Sequence, residues 1–297
     1  MEVRKPIFIV GTGRSGSTIF HEMFCRHPEV AWISKLCDVF PNQVWLNKYF
    51  LNSLDFPVVG TASKYLILQK RAIRPSEAYN FWENICTGFS RPCRDLVAED
   101  VTNKKKRKIR KELTKTLTSN RERLLIKITG WPRLSFLQEV FEDAKFIHIV
   151  RDGRATVNSM LEVDFWEGWQ GPQNWRWGEL TLSQKADWDK YDKSFAALAA
   201  IEMNILMDAM EEAKTNIGPK SFLEVKYEDL CASPRNTFKD VIEFCDLTWS
   251  ANFSKTIEEF NLKNTNYKWK QDLTPAQCDV ISQILTSYLK KYNYEQL

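Results

Sequence analysis

Short apolar segments alternate with amphipathic ones along most of the chain. Segments rich in β-branched and aromatic residues have the length of buried strands and lie at residues 6–10, 30–33, 124–128, 145–150 and 222–227. Apolar residues at helical spacing occupy much of the chain between them. This alternation predicts βαβ units, and so a three-layer α/β fold in which helices flank a central parallel sheet of about five strands.

Several helix starts are marked by polar residues beside prolines. Ser76, Ser233 and Thr274 are predicted N-caps, each adjacent to a proline. Helical spacing also indicates helices within residues 34–60, over 132–142 and from about 183 to 214. No internal repeat or low-complexity linker interrupts the pattern, so a single domain is expected over residues 1–297.

The first strand is followed by the glycine-rich segment GTGRSGST at residues 11–18. In a parallel sheet this segment lies at the carboxyl edge, where open α/β folds bind ligands. Glycines let backbone amides converge on an anion, and the next helix adds its unpaired N–H groups and positive dipole end. We predict a site for a phosphate-like group formed by Gly13, Arg14, Ser15, Gly16, Ser17 and Thr18. The structural alternative is a tight turn without a ligand.

The same segment differs at one position from the P-loop pattern G-x-x-x-x-G-K-[ST]. Gly11, Gly16 and Thr18 match that pattern, but Ser17 stands in place of the lysine. Kinases and NTPases use this lysine on the transferred phosphate. The strong cation here, Arg14, comes earlier in the loop, which argues against a kinase.

A second strand–helix pair repeats the arrangement. The strand at 145–150 is followed by Arg151, and Ser159 comes about two turns into the next helix. Arginine suits phosphate because its planar fork donates two hydrogen bonds. We predict that Arg151 and Ser159 hold a second anion near the first. A structural ion pair between Arg151 and Asp152 is the alternative.

Two loops combine aromatic residues with glycine or lysine. Residues 164–178 contain tryptophans and a phenylalanine spaced by glycines, and they are predicted to cover a pocket, with core packing as the alternative. Residues 264–270 carry Lys268 and Lys270 among aromatic residues and are predicted to close over a phosphate.

Composition narrows the class of protein. The 297 residues are 43% hydrophobic and 27% charged, as in globular proteins. No apolar run reaches the roughly 18 residues of a membrane span, and no secretory signal fits the start. The seven cysteines are dispersed, and the three histidines form no pair at ligand spacing. We therefore expect a cytoplasmic protein with no metal site and no membrane partner.

The net charge of +4 is concentrated in one segment. Residues 104–111 hold seven basic residues in eight, which fits the solvated face of a helix or an electrostatic rim that attracts an anionic ligand. Because no recognition motif accompanies this segment, a nucleic-acid partner is not expected.

The two anion motifs together resemble the sulfotransferases that use 3′-phosphoadenosine 5′-phosphosulfate (PAPS), a family with a P-loop-like fold. Residues 13–18 resemble the family's 5′-phosphosulfate loop, and Arg151 with Ser159 matches its pair for the 3′-phosphate. Residues 145–161 are similar to the matching segment of protein-tyrosine sulfotransferases and their bacterial relatives. Residues 225–230, which include Tyr227, resemble the family's segment after the last strand.

The resemblance also implies catalytic roles. Arg14 would stabilise the leaving phosphate, and Lys127, near the end of the third strand, would approach the sulfuryl group. In relatives, the general base is a histidine just after the third strand or a glutamate just after the second. This chain has Thr129-Gly130 and Ser34-Lys35 at those positions. Asp38 and His21 remain as candidates for the general base, beside residues that the sequence does not single out.

The implied activity is transfer of a sulfuryl group from PAPS to a hydroxyl or amine of a small-molecule acceptor, such as a natural product. Adenosine 3′,5′-bisphosphate is the second product. Two alternatives stay open: a P-loop kinase-like phosphotransferase, and a non-catalytic nucleotide-binding module. The sequence determines neither the acceptor nor the oligomeric state.

Overall fold

A five-stranded sheet forms the centre of the computed structural model, which describes residues 1–55, 74–90 and 93–294. Its strands are β1 (Ile7–Gly11), β2 (Val30–Trp32), β3 (Arg123–Thr129), β4 (Lys145–Val150) and β5 (Phe222–Lys226). They lie in the order β2-β3-β1-β4-β5, and every neighbouring pair is parallel. The predicted α/β fold with a parallel sheet of this size is confirmed.

The central strands are buried on both faces, which explains why their sequences are apolar without alternation. All five residues of β1 are buried, as are all residues of β4 except the first. On one face Phe8 packs against Phe146 and Phe141, with ring centroids 5.8 Å and 6.1 Å apart. Burial therefore fixes the central strands in the middle of the molecule.

Helices lie in the segments that connect and follow the strands, and they flank the sheet. Those of the first half are α1 (Ser17–Phe24), α2 (Lys35–Val39), α3 (Trp45–Leu54), α4 (Tyr79–Ile85), α5 (Asn103–Thr114), α6 (Leu134–Val140) and α7 (Gly153–Leu161). Those of the second half are α8 (Leu182–Lys190), α9 (Phe195–Lys214), α10 (Tyr227–Ala232), α11 (Pro234–Phe244), α12 (Ala251–Glu258), α13 (Trp269–Asp272), α14 (Pro275–Ile284) and α15 (Thr286–Lys291). Within the described ranges, no helix is both long enough and apolar enough to span a bilayer.

The predicted helix start at Ser76 is wrong. The helix begins at Tyr79, after Ala78 in the left-handed region at φ 51°. Residues 74–76 instead lie antiparallel beside the residues that follow β2: Lys35 N–H donates to the Arg74 carbonyl, and Ser76 N–H to the Ile33 carbonyl, both at 2.9 Å. These backbone bonds hold the segment extended, so it cannot start a helix.

The single helix predicted from about 183 to 214 is also wrong. The chain forms two helices, α8 and α9, because Asp192 and Lys193 adopt left-handed φ values of 52° and 54°. Ser194 then caps α9 by accepting a hydrogen bond from the Ala197 N–H. Other boundaries differ by a few residues: α6 lies within the predicted range 132–142, and Tyr227 starts α10 instead of ending β5. The part of the 34–60 prediction beyond residue 55 lies outside the described residues.

The order of strands places three loops side by side. β1 is the central strand, with β3 on one side and β4 on the other. Because the strands are parallel, the segments after β1, β3 and β4 leave the sheet at the same edge. The two predicted anion motifs therefore start from adjacent strand ends.

Candidate functional site

The loop after β1 is a tight turn that leads directly into α1. Arg14 and Gly16 have positive φ values, 68° and 88°. The Ser15 hydroxyl donates to the Thr12 carbonyl at 3.0 Å and fixes the turn from within. A Cβ atom on Gly16 would lie 2.3 Å from a ring carbon of Tyr227, so only glycine lets this ring pack on the loop. The loop thus leads directly into the amino end of α1, and the Tyr227 ring packs against it at Gly16.

The two predicted anion motifs contact each other. The Arg14 Nε donates to the Ser159 hydroxyl at 2.9 Å, and the Arg151 Nη1 donates to the Arg14 carbonyl at 3.0 Å. Asp152 pairs with Arg154 at 2.7 Å, so it does not serve as the partner of Arg151. A cavity of about 260 Å³ is lined by Arg14, Gly16, Ser17, Thr18, Ile19, Glu22, Arg151, Ser159 and Tyr227.

The loop at 264–270 contacts Arg151 through uncharged residues. The Arg151 guanidinium donates to the Asn266 Oδ1 at 2.8 Å and to the Thr265 hydroxyl at 3.1 Å. The two lysines predicted to bind phosphate are exposed, and Lys270 lies over the Trp269 ring at 5.5 Å. Neither Lys268 nor Lys270 lines the cavity beside Arg151.

A larger cleft of about 510 Å³ adjoins the loop after β1. It is bordered by polar and charged side chains near the sheet, including Arg14, Lys35, Asp38, Glu77, Tyr79, Asn80, Lys127 and Thr129. It is also bordered by residues of α7, of the segment that follows α7 and of α9, namely Met160, Val163, Phe165, Trp166, Glu167, Arg176, Trp177, Glu202 and Leu206. Arg14 lines both this cleft and the smaller cavity, so its side chain lies where the two spaces meet.

Lys127 connects β3 to the first loop. Its ammonium group donates to the Thr18 hydroxyl at 2.9 Å and pairs with the Glu77 Oε1 at 2.9 Å. The side chain is only 8% exposed, and it lines the larger cleft. A positive charge is therefore fixed beside the start of α1, close to the predicted anion loop.

Glu77 is a cleft carboxylate that the sequence does not single out. The pairing of residues 74–76 with the end of β2 brings it there, and its Oε2 accepts from the Thr129 hydroxyl at 2.9 Å. Burial raises the pKa of Glu77, but the charge of Lys127 and the hydrogen bonds from Lys127, Thr129 and Tyr79 together lower it by more, so the net shift is downward. No local motif marks this residue, because its position depends on contacts with residues more than forty positions earlier.

The two predicted base candidates lie in different environments. Asp38 lines the larger cleft, where it pairs with Lys35 and accepts from the Asn80 N–H at 2.9 Å. His21 is 1% exposed and lines neither cavity. Burial, with the nearby charge of Lys127, lowers the pKa of His21 to about 3, so its ring is neutral. Of these two candidates, only Asp38 is thus accessible to a molecule in the cleft.

The aromatic loop at 164–178 forms the outer wall of the larger cleft. Phe165, Trp166 and Trp177 line it, as predicted for a loop that covers a pocket. The Trp166 Nε1 donates to the Glu202 Oε2 at 2.9 Å, and Trp177 packs 3.0 Å from where a Cβ of Gly130 would lie. Burial raises the pKa of Glu202 to about 7. The loop is therefore fastened to α9 and to the end of β3.

Known proteins match this chain over much of its length. Protein-tyrosine sulfotransferase of Drosophila melanogaster is 24% identical over 82% of this chain and 38% of its own length. The Omega-hydroxy-beta-dihydromenaquinone-9 sulfotransferase Stf3 of Mycobacterium bovis is 22% identical over 98% of this chain and 76% of its own length. The chain spans little more than a third of the Drosophila relative.

Solved structures share the fold. Sulfotransferase STF9 from Mycobacterium avium superposes with a TM-score of 0.59 at 16% identity, over 98% of this chain and 77% of that one. Sulfotransferase STF1 from Mycobacterium tuberculosis superposes with a TM-score of 0.53 at 15% identity, over 96% and 77%. A sequence model described as the Sulfotransferase family matches residues 6–251. Because that match covers most of the chain and includes β1 to β5, the chain belongs to the sulfotransferase family.

Proposed function

We propose that the protein transfers a sulfuryl group from PAPS to a hydroxyl or amine of a small-molecule acceptor and releases adenosine 3′,5′-bisphosphate. The observation that carries this proposal is the position of Arg14, which lines both the cavity between the anion motifs and the larger cleft. A group bound at this junction is open to a donor on one side and an acceptor on the other. Family membership and the names of the relatives support sulfuryl transfer.

The donor occupies the smaller cavity. Backbone amides of the loop, with Gly13, Ser15, Gly16, Ser17 and Thr18, hold its 5′-phosphosulfate at the amino end of α1. Arg151 and Ser159 hold its 3′-phosphate, and Tyr227 forms the wall between the loop and Arg151. Lys268 and Lys270 attract the donor from the rim as exposed charges.

The acceptor enters the larger cleft and attacks the sulfur atom. Its oxygen or nitrogen forms the new bond to sulfur while the bond from sulfur to the 5′-phosphate oxygen breaks. Arg14 and Lys127 stabilise the negative charge that develops on the sulfuryl and leaving oxygens. The acceptor's proton passes to a carboxylate in the cleft.

Glu77 is the general base in this mechanism. Its support is geometric: its carboxylate pairs with Lys127, which in turn bonds to Thr18 in the donor loop. Asp38 is the alternative within the cleft, and the buried His21 is disfavoured by its lack of access and its lowered pKa. The downward shift in the pKa of Glu77 keeps its carboxylate ionised at neutral pH but makes it a weaker base than a free glutamate, so the assignment depends on its position beside Lys127.

The activity is tested by incubating the protein with PAPS and a panel of hydroxyl- and amine-bearing acceptors. We expect one acceptor class to gain the mass of one sulfo group. Incubation with ATP in place of PAPS tests the kinase alternative. Transfer of phosphate but not of the sulfo group would overturn the proposal, as would failure of every acceptor class despite tight PAPS binding.

The base is tested with matched amide variants. We expect Glu77→Gln to lower kcat by about 100-fold and Asp38→Asn by less than about threefold. The Glu77→Gln loss should shrink for acceptors with a more acidic hydroxyl, which need less help in losing a proton. Turnover assays with two acceptors, one with a more acidic hydroxyl than the other, measure the loss of kcat for each. An equal loss for both acceptors, or a larger loss in Asp38→Asn, would assign Glu77 a different role.

A further inference from the structure

We propose that Tyr294, acting through Glu228 and Asn266, positions the guanidinium of Arg151 for the donor's 3′-phosphate. The inference rests on the proposed function, in which Arg151 binds that phosphate. Tyr294 touches neither cavity and is a positioning residue. The hydrogen bonds that connect it to Arg151 run through buried and half-buried side chains behind the smaller cavity.

The side chain of Arg151 is held in one orientation. Its Nε donates to Asn266 and its Nη1 to the Arg14 carbonyl, and its guanidinium lies 4.6 Å from the centre of the Tyr227 ring. An asparagine amide can present either its oxygen or its NH2 group. The Asn266 oxygen faces Arg151 reliably only if the NH2 group has a fixed acceptor elsewhere.

Glu228 is that acceptor. Its Oε1 accepts from the Asn266 Nδ2 and from the Asp152 N–H, the latter at 3.1 Å. Its Oε2 accepts from the Tyr294 hydroxyl at 2.8 Å. Because donors occupy both of its oxygens, the Glu228 carboxylate has a single orientation. It therefore holds the NH2 group of Asn266 on its own side and leaves the Asn266 oxygen facing Arg151.

Tyr294 is itself firmly placed. It is 2% exposed, its carbonyl accepts from Arg154 at 2.7 Å, and its ring stacks on Tyr288 with centroids 6.3 Å apart. The Tyr288 hydroxyl in turn donates to the Arg151 carbonyl at 2.5 Å. Burial, with the nearby charge of Glu228, raises the pKa of Tyr294, so its hydroxyl remains a donor at neutral pH. α15 thus contacts the backbone of Arg151 through Tyr288, and the segment after α15 reaches the side chain of Arg151 through Tyr294, Glu228 and Asn266.

The test compares two nucleotides that differ only in the 3′-phosphate. In Tyr294→Phe, we expect affinity for adenosine 3′,5′-bisphosphate to fall about fivefold or more, and affinity for adenosine 5′-monophosphate to stay unchanged. The KM for PAPS should rise while kcat at saturating PAPS is retained. Glu228→Ala should act in the same direction. Isothermal titration calorimetry gives both affinities, and a melting curve of each variant confirms that it is folded.

The matched control is Tyr292→Phe. The Tyr292 hydroxyl also donates to carboxylates, Glu211 at 2.5 Å and Glu224 at 3.0 Å, and Tyr292→Phe keeps the ring that packs on Tyr288. Unlike Glu228, these two carboxylates do not hydrogen-bond to Asn266. In Tyr292→Phe, the ratio of the affinities for adenosine 3′,5′-bisphosphate and adenosine 5′-monophosphate should match that of the wild type. An unchanged ratio in Tyr294→Phe and Glu228→Ala, or an equal loss for both nucleotides, would overturn the inference.

Arg151→Ala separates this inference from the proposed function. If Arg151→Ala loses the preference for the bisphosphate and Tyr294→Phe keeps it, only the positioning role fails. If the wild-type protein shows no preference for the bisphosphate, the proposed function fails, and the inference fails with it.

Discussion

At the scale of single residues, Arg14 combines an unfavourable backbone conformation with contacts to both anion motifs and to both cavities. It adopts a left-handed φ of 68°, which for a residue other than glycine costs on the order of 1 kcal/mol or more. Its carbonyl accepts from Arg151, its side chain donates to Ser159, and it lines both cavities. Strained residues of this kind cluster at functional sites, which accords with the role in charge stabilisation proposed for Arg14.

Gly16 offers a test of how the loop is packed. We expect Gly16→Ala to lower the free energy of unfolding by about 2–4 kcal/mol, because it combines a φ of 88° with a Cβ 2.3 Å from the Tyr227 ring. Gly88→Ala is the matched control, since Gly88 has a φ of 87° and no atom within 4 Å of the point that a Cβ would occupy. It should cost only about 1 kcal/mol. Urea denaturation measures both, and equal losses would show that Tyr227 does not press on the loop.

At the scale of elements, the aromatic loop at 164–178 depends on one carboxyl group of α9. Glu202 accepts from Trp166 and is also hydrogen-bonded by Trp177, so both ends of the loop are fastened to it. The buried carboxyl has a pKa raised to about 7, so near neutral pH it exchanges between a protonated and an ionised form inside the wall of the larger cleft. The loop should therefore respond to pH.

This dependence has a definite sign. A carboxyl whose pKa is raised on folding binds its proton more tightly in the folded state, so stability is lost as pH rises from about 4.5 towards 7. Glu202→Gln should remove this loss, and the wild type should fall relative to it by up to about 3 kcal/mol over that range. Denaturation curves at several pH values measure the difference. A wild type that gains stability relative to the variant over this range would contradict the assignment.

The elements also show where a sequence pattern suffices. The apolar pattern at 145–150 predicts a strand with the observed bounds, because a fully buried strand is apolar throughout. The helix break at Asp192 and Lys193 carries no glycine or proline, so propensity gives no signal for it. Ser76 has the chemistry of an N-cap, but bonds from a distant part of the chain hold its segment extended. At Ser76, tertiary contacts therefore override the local preference.

At the scale of the whole molecule, the order of strands decides which residues meet. Arg14 and Arg151 follow adjacent strands, so two motifs far apart in the sequence lie in contact, and this proximity follows from the parallel pattern. Glu77 belongs to no strand end or helix cap and reaches the cleft only through pairing with the residues after β2. Such a carboxylate has no local signature, which is why sequence patterns favour Asp38 and His21 instead.

The central claim is a donor site with two anion pockets, one at the loop after β1 and one at Arg151 and Ser159. Titration calorimetry of the wild-type protein and Arg151→Ala with adenosine 3′,5′-bisphosphate and with ATP tests it most directly. We predict that the wild type binds the bisphosphate at least about tenfold more tightly than ATP, and that Arg151→Ala loses this preference. Tight binding of ATP by a protein that does not bind the bisphosphate would contradict the account.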